Sequence, residues 1–543
     1  MSMHRGRFWT RISASLLLVL VVGLSPAYGQ DGASAEWWRS AVFYEVFVRS
    51  FYDSDGDGVG DFDGIAAQLD YLNDGDPATT SDLGVTALWL MPIMQSWSYH
   101  GYDVIDYYSV DPEYGTMSDF RALLAAAHDR GIRIIIDLPF NHTGIDHPWF
   151  RASAAGDTPF SDWYLWRDQD PAWRGPSNQV VWHGRGGRFY YGLFWQGMPD
   201  LNYTNPDVTA QMYDIVRFWL EEVGVDGFRL DGVKHVIEEE LIQENTDSTL
   251  AWMTVFYDYV KSIDPTALLV GEIWSSTYDI AEYVIADAID IAFEFDLAGA
   301  MLQSADTGRS GAVAGLAQRV ADAYPAARFG AFLTNHDQNR VMDQLGGSVQ
   351  NAQVAARLLL LSQGVPFIYY GEEIGMRGSK PDERIRTPMQ WSADAATGGF
   401  TRRTPWEALQ RDAAEVNVAA QTGDPESLLS TYRDMIRLRA QLGLGDGTRF
   451  RVRANAREVF SFVEIGADED AAAVLVLLNL SDKAVEGFTL TTGADLGGRT
   501  AAQGIVNADE VAALTLADGG GFEDYQPLAS LAPHELVIIS LSR

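Results

Sequence analysis

The chain has 543 residues, 47% of them hydrophobic, enough for two or three domains around a large core and far from the composition of a disordered chain. Its formal net charge of -36 would repel nucleic acid and anionic membranes, which argues against both as partners. There is no cysteine, hence no disulfide, no thiolate metal site and no cysteine nucleophile.

Residues 1–29 read as a signal peptide. His4, Arg5, Arg7 and Arg11 make a basic start, SLLLVLVVGL (15–24) is an apolar stretch too short for a comfortable membrane span, and AYG (27–29) offers small residues for cleavage. No cysteine follows for lipid attachment, and no later stretch reads as a membrane span. The expectation is a secreted or periplasmic protein without a membrane anchor.

The stretch DSDGDGVGDFDG (53–64) begins like an EF-hand loop, with aspartates at positions 1, 3 and 5 and Gly58 at position 6. Position 12 is Gly64 where an EF-hand places its bidentate Glu, so that reading fails. Asp53, Asp55, Asp57, the Val59 carbonyl and Asp61 could still wrap a hard cation, and an acidic, Gly-rich surface turn is the alternative.

Eight apolar runs follow one another along the chain: 41–48, 84–91, 132–139, 225–231, 267–274, 289–295, 328–334 and 365–371. Runs of this length suit strands buried on both faces, and helical patterns such as 117–131 and 312–321 lie between them. Alternation of strand and helix over eight repeats predicts an α/β fold, a TIM (β/α)8 barrel. The gap after the third run is too long for one crossover and predicts a small inserted domain at 141–205, splitting the barrel into 36–140 and 206–445. A helical pattern at 426–443 ends at Gly443, and the alternating runs of 446–543 predict a C-terminal all-β sandwich. That last segment has no Trp and reads as a stabilising cap.

In such a barrel, chemistry sits at the C-terminal strand ends. Those ends carry Asp137 and His142, Arg229 and Asp231, Glu272, and His336 with Asp337. Taken singly, Asp231 would be a buried partner of Arg229, Glu272 a strand-end surface acid, the histidines structural, and Asp137 a structural tie. Converging, crowded carboxylates have their pKa values pushed apart, and the reaction that needs one carboxylate and one carboxylic acid is retaining glycoside hydrolysis.

DLPFNH (137–142), GFRLDGVKH (227–235), GEIW (271–274) and FLTNHD (332–337) resemble the four sequence regions of the α-amylase family of glycoside hydrolases, family 13, and GVTALWLMPI (84–93) and MPDLN (198–202) resemble two more. The resemblance implies Asp231 as nucleophile, Glu272 as general acid and base, and Asp337 as the carboxylate that grips the sugar hydroxyls. It implies Arg229 as the partner of the nucleophile, His142 and His336 as sugar-binding groups, Tyr102 as a platform under the cleaved sugar, and Lys234 and His235 as contacts to the leaving sugars. It also implies calcium on Asp53, Asp55, Asp57, Val59 and Asp61. Asn141 is similar to a second calcium ligand of many members, for which the sequence identifies no acidic partners. RTPMQW (386–391) and the calcium loop resemble oligo-1,6-glucosidases and trehalose synthases, whereas Lys234-His235 and YHGYD (99–103) resemble endo-acting α-amylases. MPDLN is the form of a group intermediate between oligo-1,6-glucosidase and neopullulanase types. The implied function is an exported, monomeric α-amylase acting on α-glucans and maltooligosaccharides. The alternatives are an α-glucosidase or glucosyl transferase of the family, and a non-catalytic relative.

Overall fold

The computed structural model describes residues 36–445, 447–466 and 472–543; the expected signal peptide lies outside them. Eight parallel strands close a barrel: β1 (Phe43–Val46), β2 (Ala87–Leu90), β3 (Arg133–Leu138), β4 (Gly227–Leu230), β5 (Leu268–Gly271), β6 (Ile291–Phe293), β7 (Phe329–Ala331) and β8 (Val365–Tyr369). Each falls inside one of the eight apolar runs, and neighbours in the barrel are neighbours in sequence, with β8 closing on β1. The runs extend past the strands at one or both ends, and the residues beyond the C-terminal ends build the site.

Alternate residues of each strand enter two separate cores. Phe43, Ala87, Ile135, Leu268, Val270, Ile291, Phe293 and Phe367 fill the barrel interior. Tyr44, Leu88, Ile134, Ile136, Phe228, Leu230 and Ile368 pack outward against the helices. Both sets are buried, so the strands read as continuous apolar runs rather than alternating ones. Local signals start and stop the helices: Thr116 and Asp119 form a capping box on helix Met117–His128. Ser427 caps helix Leu428–Leu442, which stops at Gly443 in the left-handed conformation.

Between β3 and β4, the strands Trp166–Arg167, Arg188–Tyr191 and Trp182–Arg185 form a small antiparallel sheet in that order. After the barrel, a five-stranded antiparallel sheet and a three-stranded one share a core of Val463, Leu475, Leu477, Leu490, Phe522 and Ile539. One element is not foreshadowed by any sequence pattern. Met94–Ser96 pairs antiparallel with Val104–Val110 as a hairpin after β2, and its irregular register and mixed burial leave no clean period of two to read.

Under β8, Glu373 accepts hydrogen bonds from the hydroxyls of Tyr44 (2.8 Å) and Tyr71 (2.6 Å), and Glu372 accepts one from Tyr432 (2.7 Å). Both carboxyls are buried, and burial pushes them up, Glu372 to about 8. The folded protein therefore holds this proton more tightly than the unfolded chain. Its stabilisation is complete below the ordinary value of 4.5 and is lost as pH rises through about 8. Glu372→Gln, which mimics the protonated acid, is expected to flatten the fall in melting temperature between those pH values. A few kcal/mol are at stake, because each tenfold change in proton affinity is worth about 1.4 kcal/mol. Parallel melting curves for the variant and wild type across that range would refute it.

Candidate active site

The interior parity of the strands carries the polar groups. Two residues beyond Phe43, Ala87 and Ile135 the same faces present Glu45, Trp89 and Asp137, and β4 presents Arg229 in register with Asp137 and with Val270. Two residues further, Asp231 directly follows β4 and Glu272 directly follows β5. Arg229 is fully buried at the centre. Its Nη1 donates to both Asp137 oxygens (2.9 and 3.0 Å) and to Asp231 Oδ1 (2.7 Å), and its Nη2 lies 3.8 Å from Glu272 Oε2. The guanidinium also sits over the rings of Trp89 (5.3 Å) and Tyr102 (5.8 Å).

Burial raises the carboxyls of both Asp231 and Glu272, and Arg229 opposes it in both. The direct 2.7 Å bond makes Asp231 the better held anion. Glu272 stands further from the cation and is raised by the charges of Asp231 and Asp337, while the Gly232 amide, donating to Oε2 (3.0 Å), acts in the opposite direction. Of the two, Glu272 is the one placed to keep a proton. Burial would also raise Asp337, but the positive charges of Arg386 and Arg229 pull it down below the ordinary carboxylate value. Arg386 Nη2 donates to Asp337 Oδ1 (2.9 Å) and Arg386 Nε to the His336 carbonyl (2.9 Å). The Asp337 side chain remains 40% exposed and looks into the cleft.

Behind these acids runs a chain of short hydrogen bonds. Glu45 Oε1 is 2.6 Å from His336 Nδ1, His336 Nε2 is 2.6 Å from the Tyr102 hydroxyl, and that hydroxyl donates to Asp137 Oδ2 (3.0 Å). Burial pushes Glu45 well up and His336 well down. We assign a protonated Glu45 donating to Nδ1 of a neutral imidazole whose Nε2–H points to Tyr102, because burial disfavours the charged form of both groups and this tautomer leaves the Tyr102 proton for Asp137. Asp137, raised to about 7 by burial against the pull of Arg229, also accepts from Trp89 Nε1 (3.3 Å).

The cleft above is lined by His100, Tyr102, Asp337, Asp382 and Arg386, by His142, Phe194, Trp195 and Met198, and by Asp231. His142 is buried, burial lowers it to about 4, and neither ring nitrogen has a hydrogen-bond partner among the described residues. Lys234 and His235 stand on the turn after Asp231 but do not line this cleft. Lys234 Nζ is held by Glu244 (2.7 Å) and the Trp274 carbonyl (2.8 Å), and His235 Nδ1 meets the Gln243 carbonyl (2.8 Å). Glu45, Arg386, Phe194 and Trp195 are not singled out by the sequence. Arg386 opens the RTPMQW stretch, which is the one available signal.

The acidic loop folds on itself. Asp53 accepts from the Gly56 (2.6 Å) and Gly58 (2.8 Å) amides, and Asp61 from Ser54 (2.9 Å) and Gly64 (2.6 Å). Gly58 has φ +105°, and a Cβ there would lie 2.5 Å from the Thr404 carbonyl, so only glycine fits. Carboxylate oxygens of Asp53, Asp55 and Asp61 lie within 4.8 Å of one another. Oxygens on one calcium ion, each at about 2.4 Å, span such distances, so the donor set fits a hard cation. Asp57 is outside this group, its Oδ1 accepting from the Val59 amide (2.8 Å). At the base of the inserted domain, Asn141 donates to Asp200 (3.2 Å), an acidic neighbour that the sequence does not identify, and Asn141 Oδ1 has no partner among the described residues.

Residues 45–444 match the family model for the alpha amylase catalytic domain. Alpha-amylase 3 of Dictyoglomus thermophilum is 38% identical over 488 residues, 88% of this chain and 91% of that protein. A trehalose synthase of Pimelobacter is 33% identical over 83% of this chain and 88% of that protein. The crystal structure of an alpha-amylase from H. orenii superposes with a TM-score of 0.80 at 36% identity, covering 92% of this chain and 99% of that one. The chain belongs to the α-amylase family of glycoside hydrolases.

Proposed function

We propose that this protein is an endo-acting α-amylase that cleaves α-1,4-glucosidic bonds of starch and maltooligosaccharides with retention of configuration. The observation that carries the reading is the division of labour around Arg229: one carboxyl bonded to it at 2.7 Å, a second standing 3.8 Å from it, and a third anion held apart by Arg386. Asp231 attacks the anomeric carbon. Glu272 protonates the departing glycosidic oxygen, then takes a proton from water to release the covalent glycosyl-enzyme. Asp337 and the unpartnered nitrogens of His142 bind sugar hydroxyls, and Tyr102 supports the ring from below. The likeness to Alpha-amylase 3 over most of both chains favours hydrolysis of α-glucans. A second reading is glucosyl transfer: the Arg386–Asp337 and Arg386–Asp382 pairs crowd one side of the cleft, and a trehalose synthase is among the relatives.

In this proposal calcium is bound by Asp53, Asp55 and Asp61 with the Val59 carbonyl, and its part is structural: it ties the loop after β1 and takes no share in bond cleavage. We propose further that residues 1–29 direct export and that the mature enzyme works as a monomer. Among the described residues no helix is long and apolar enough to cross a membrane.

Three outcomes are expected. On soluble starch the enzyme releases mixed maltooligosaccharides with a rapid fall in iodine colour, and Asp231→Asn loses on the order of 10³-fold or more in kcat. Glucose alone, or products longer than a maltotriose substrate, would move the chain to α-glucosidase or transferase. Glu45→Gln keeps kcat within a few-fold because its amide N–H still donates to His336. Glu45→Leu leaves Nδ1 without a partner and loses about 10–100-fold, the cost of an unmet buried hydrogen bond. Equal losses in both variants would reverse the assigned proton. Finally, EGTA lowers the melting temperature by several degrees, calcium restores it, and Asp55→Ala abolishes the response. Melting that ignores calcium would leave the loop a plain acidic turn.

A further inference from the structure

The hairpin after β2 has a second face. A groove of about 560 Å³, separate from the cleft lining, is bounded by Gln95, Trp97, Asp106, Tyr108, Asp146 and Trp149. Trp97 is 70% exposed and stacks on no ring among the described residues, although most tryptophans of this chain are packed. Tyr108 is exposed too, but fixed: its hydroxyl accepts from Gln211 Nε2 (2.7 Å) and its ring meets the Phe218 ring edge-on at 5.2 Å. Trp149 is backed by Tyr107 in a stack 5.8 Å apart. The carboxylates are held in place, Asp106 by the Tyr108 amide (2.9 Å) and Ser109 Oγ (2.9 Å), and Asp146 by Arg151 (2.7 Å).

Two fixed aromatic rings, Tyr108 and Trp149, and the exposed Trp97 indole are bordered by fixed hydrogen-bonding groups, which suits a ligand with apolar C–H faces and hydroxyl edges. An anionic partner is disfavoured by the acidic chain and by the two carboxylates of the groove. The groove is also coupled to the cleft through one short segment. The connection between the Met94–Ser96 and Val104–Val110 strands carries Trp97 together with His100 and Tyr102, which line the cleft. We propose that this groove is a second α-glucan-binding site, with Trp97 as its main stacking platform, that holds a polymeric substrate beside the cleavage cleft. The inference rests on the glucan-hydrolase reading above. Its benefit is one of effective concentration: a polymer held at the groove presents its other segments to the cleft at high local concentration, and a short oligosaccharide gains nothing.

The test reads the two sites separately. In the full chain carrying Asp231→Asn, migration through a native gel containing amylopectin is retarded, and adding Trp97→Ala relieves most of that retardation. In the active enzyme, Trp97→Ala raises KM for starch about 5–10-fold, as expected for loss of one stacked ring, and leaves maltotriose turnover within about twofold, which also reports an intact fold. Trp97→Phe keeps most of the retardation. Unchanged retardation and an unchanged KM for starch in Trp97→Ala would overturn the second site while leaving glucan hydrolysis standing. A wild-type enzyme that cleaves neither starch nor maltotriose would instead sink the functional reading, and the gel would still decide whether the groove binds glucan.

Discussion

The structure depends on one buried cation. Arg229 lies at the axis of the barrel, bonded to Asp137 and Asp231 and close to Glu272. Each of these acids would be costly to bury alone, and removing a partner from such a cluster costs more than the cluster itself contributes. The guanidinium is therefore both the structural support of the third and fourth strands and the agent that separates the two carboxyls nearest the cleft. A lysine would not serve, because a single ammonium at the place of Nη1 could meet Asp137 and Asp231 but would offer no second nitrogen toward Glu272 and no planar face over Trp89.

The barrel solves a charge-counting problem in the layer beneath the cleft. Glu45, His336, Tyr102 and Asp137 are all buried and all linked. Had Glu45 been ionised, the site would hold a further anion facing Asp137 and Asp337. A neutral Glu45–His336 pair avoids this, and it orients Tyr102 so that its hydroxyl donates to Asp137 and its ring lies along the cleft. The pair thus adds no further charge to the buried cluster of Arg229, Asp137 and Asp231.

How much of this is legible in the sequence varies with the kind of signal. The eight strands are readable because both faces of each are buried, which leaves continuous apolar runs. Asp231, Glu272 and Asp337 are readable because they stand at the ends of those runs inside recognisable motifs. Glu45 is hidden for the opposite reason: it sits inside the run 41–48, where one acid looks like an interruption, and its partner His336 lies 291 positions away. Phe194 and Trp195 are on a loop whose aromatics have no period to mark them. The hairpin 94–110 escapes notice because neither strand alternates cleanly.

That hairpin shows what composition alone cannot distinguish. Tryptophans are as compatible with a large core as with sugar binding, and here both uses occur. Trp38, Trp89 and Trp219 are fully buried and hold the fold, whereas Trp97 and Trp195 are turned outward on elements that border a cleft or groove. The difference lies in what the neighbouring backbone does. A strand or helix packed on two sides forces its indole inward. A short connection anchored at both ends, as between the hairpin strands, holds an indole in water at little conformational cost. An apolar face kept exposed by a fixed backbone is ready for a ligand, because the ordering that binding would require has already been met in folding.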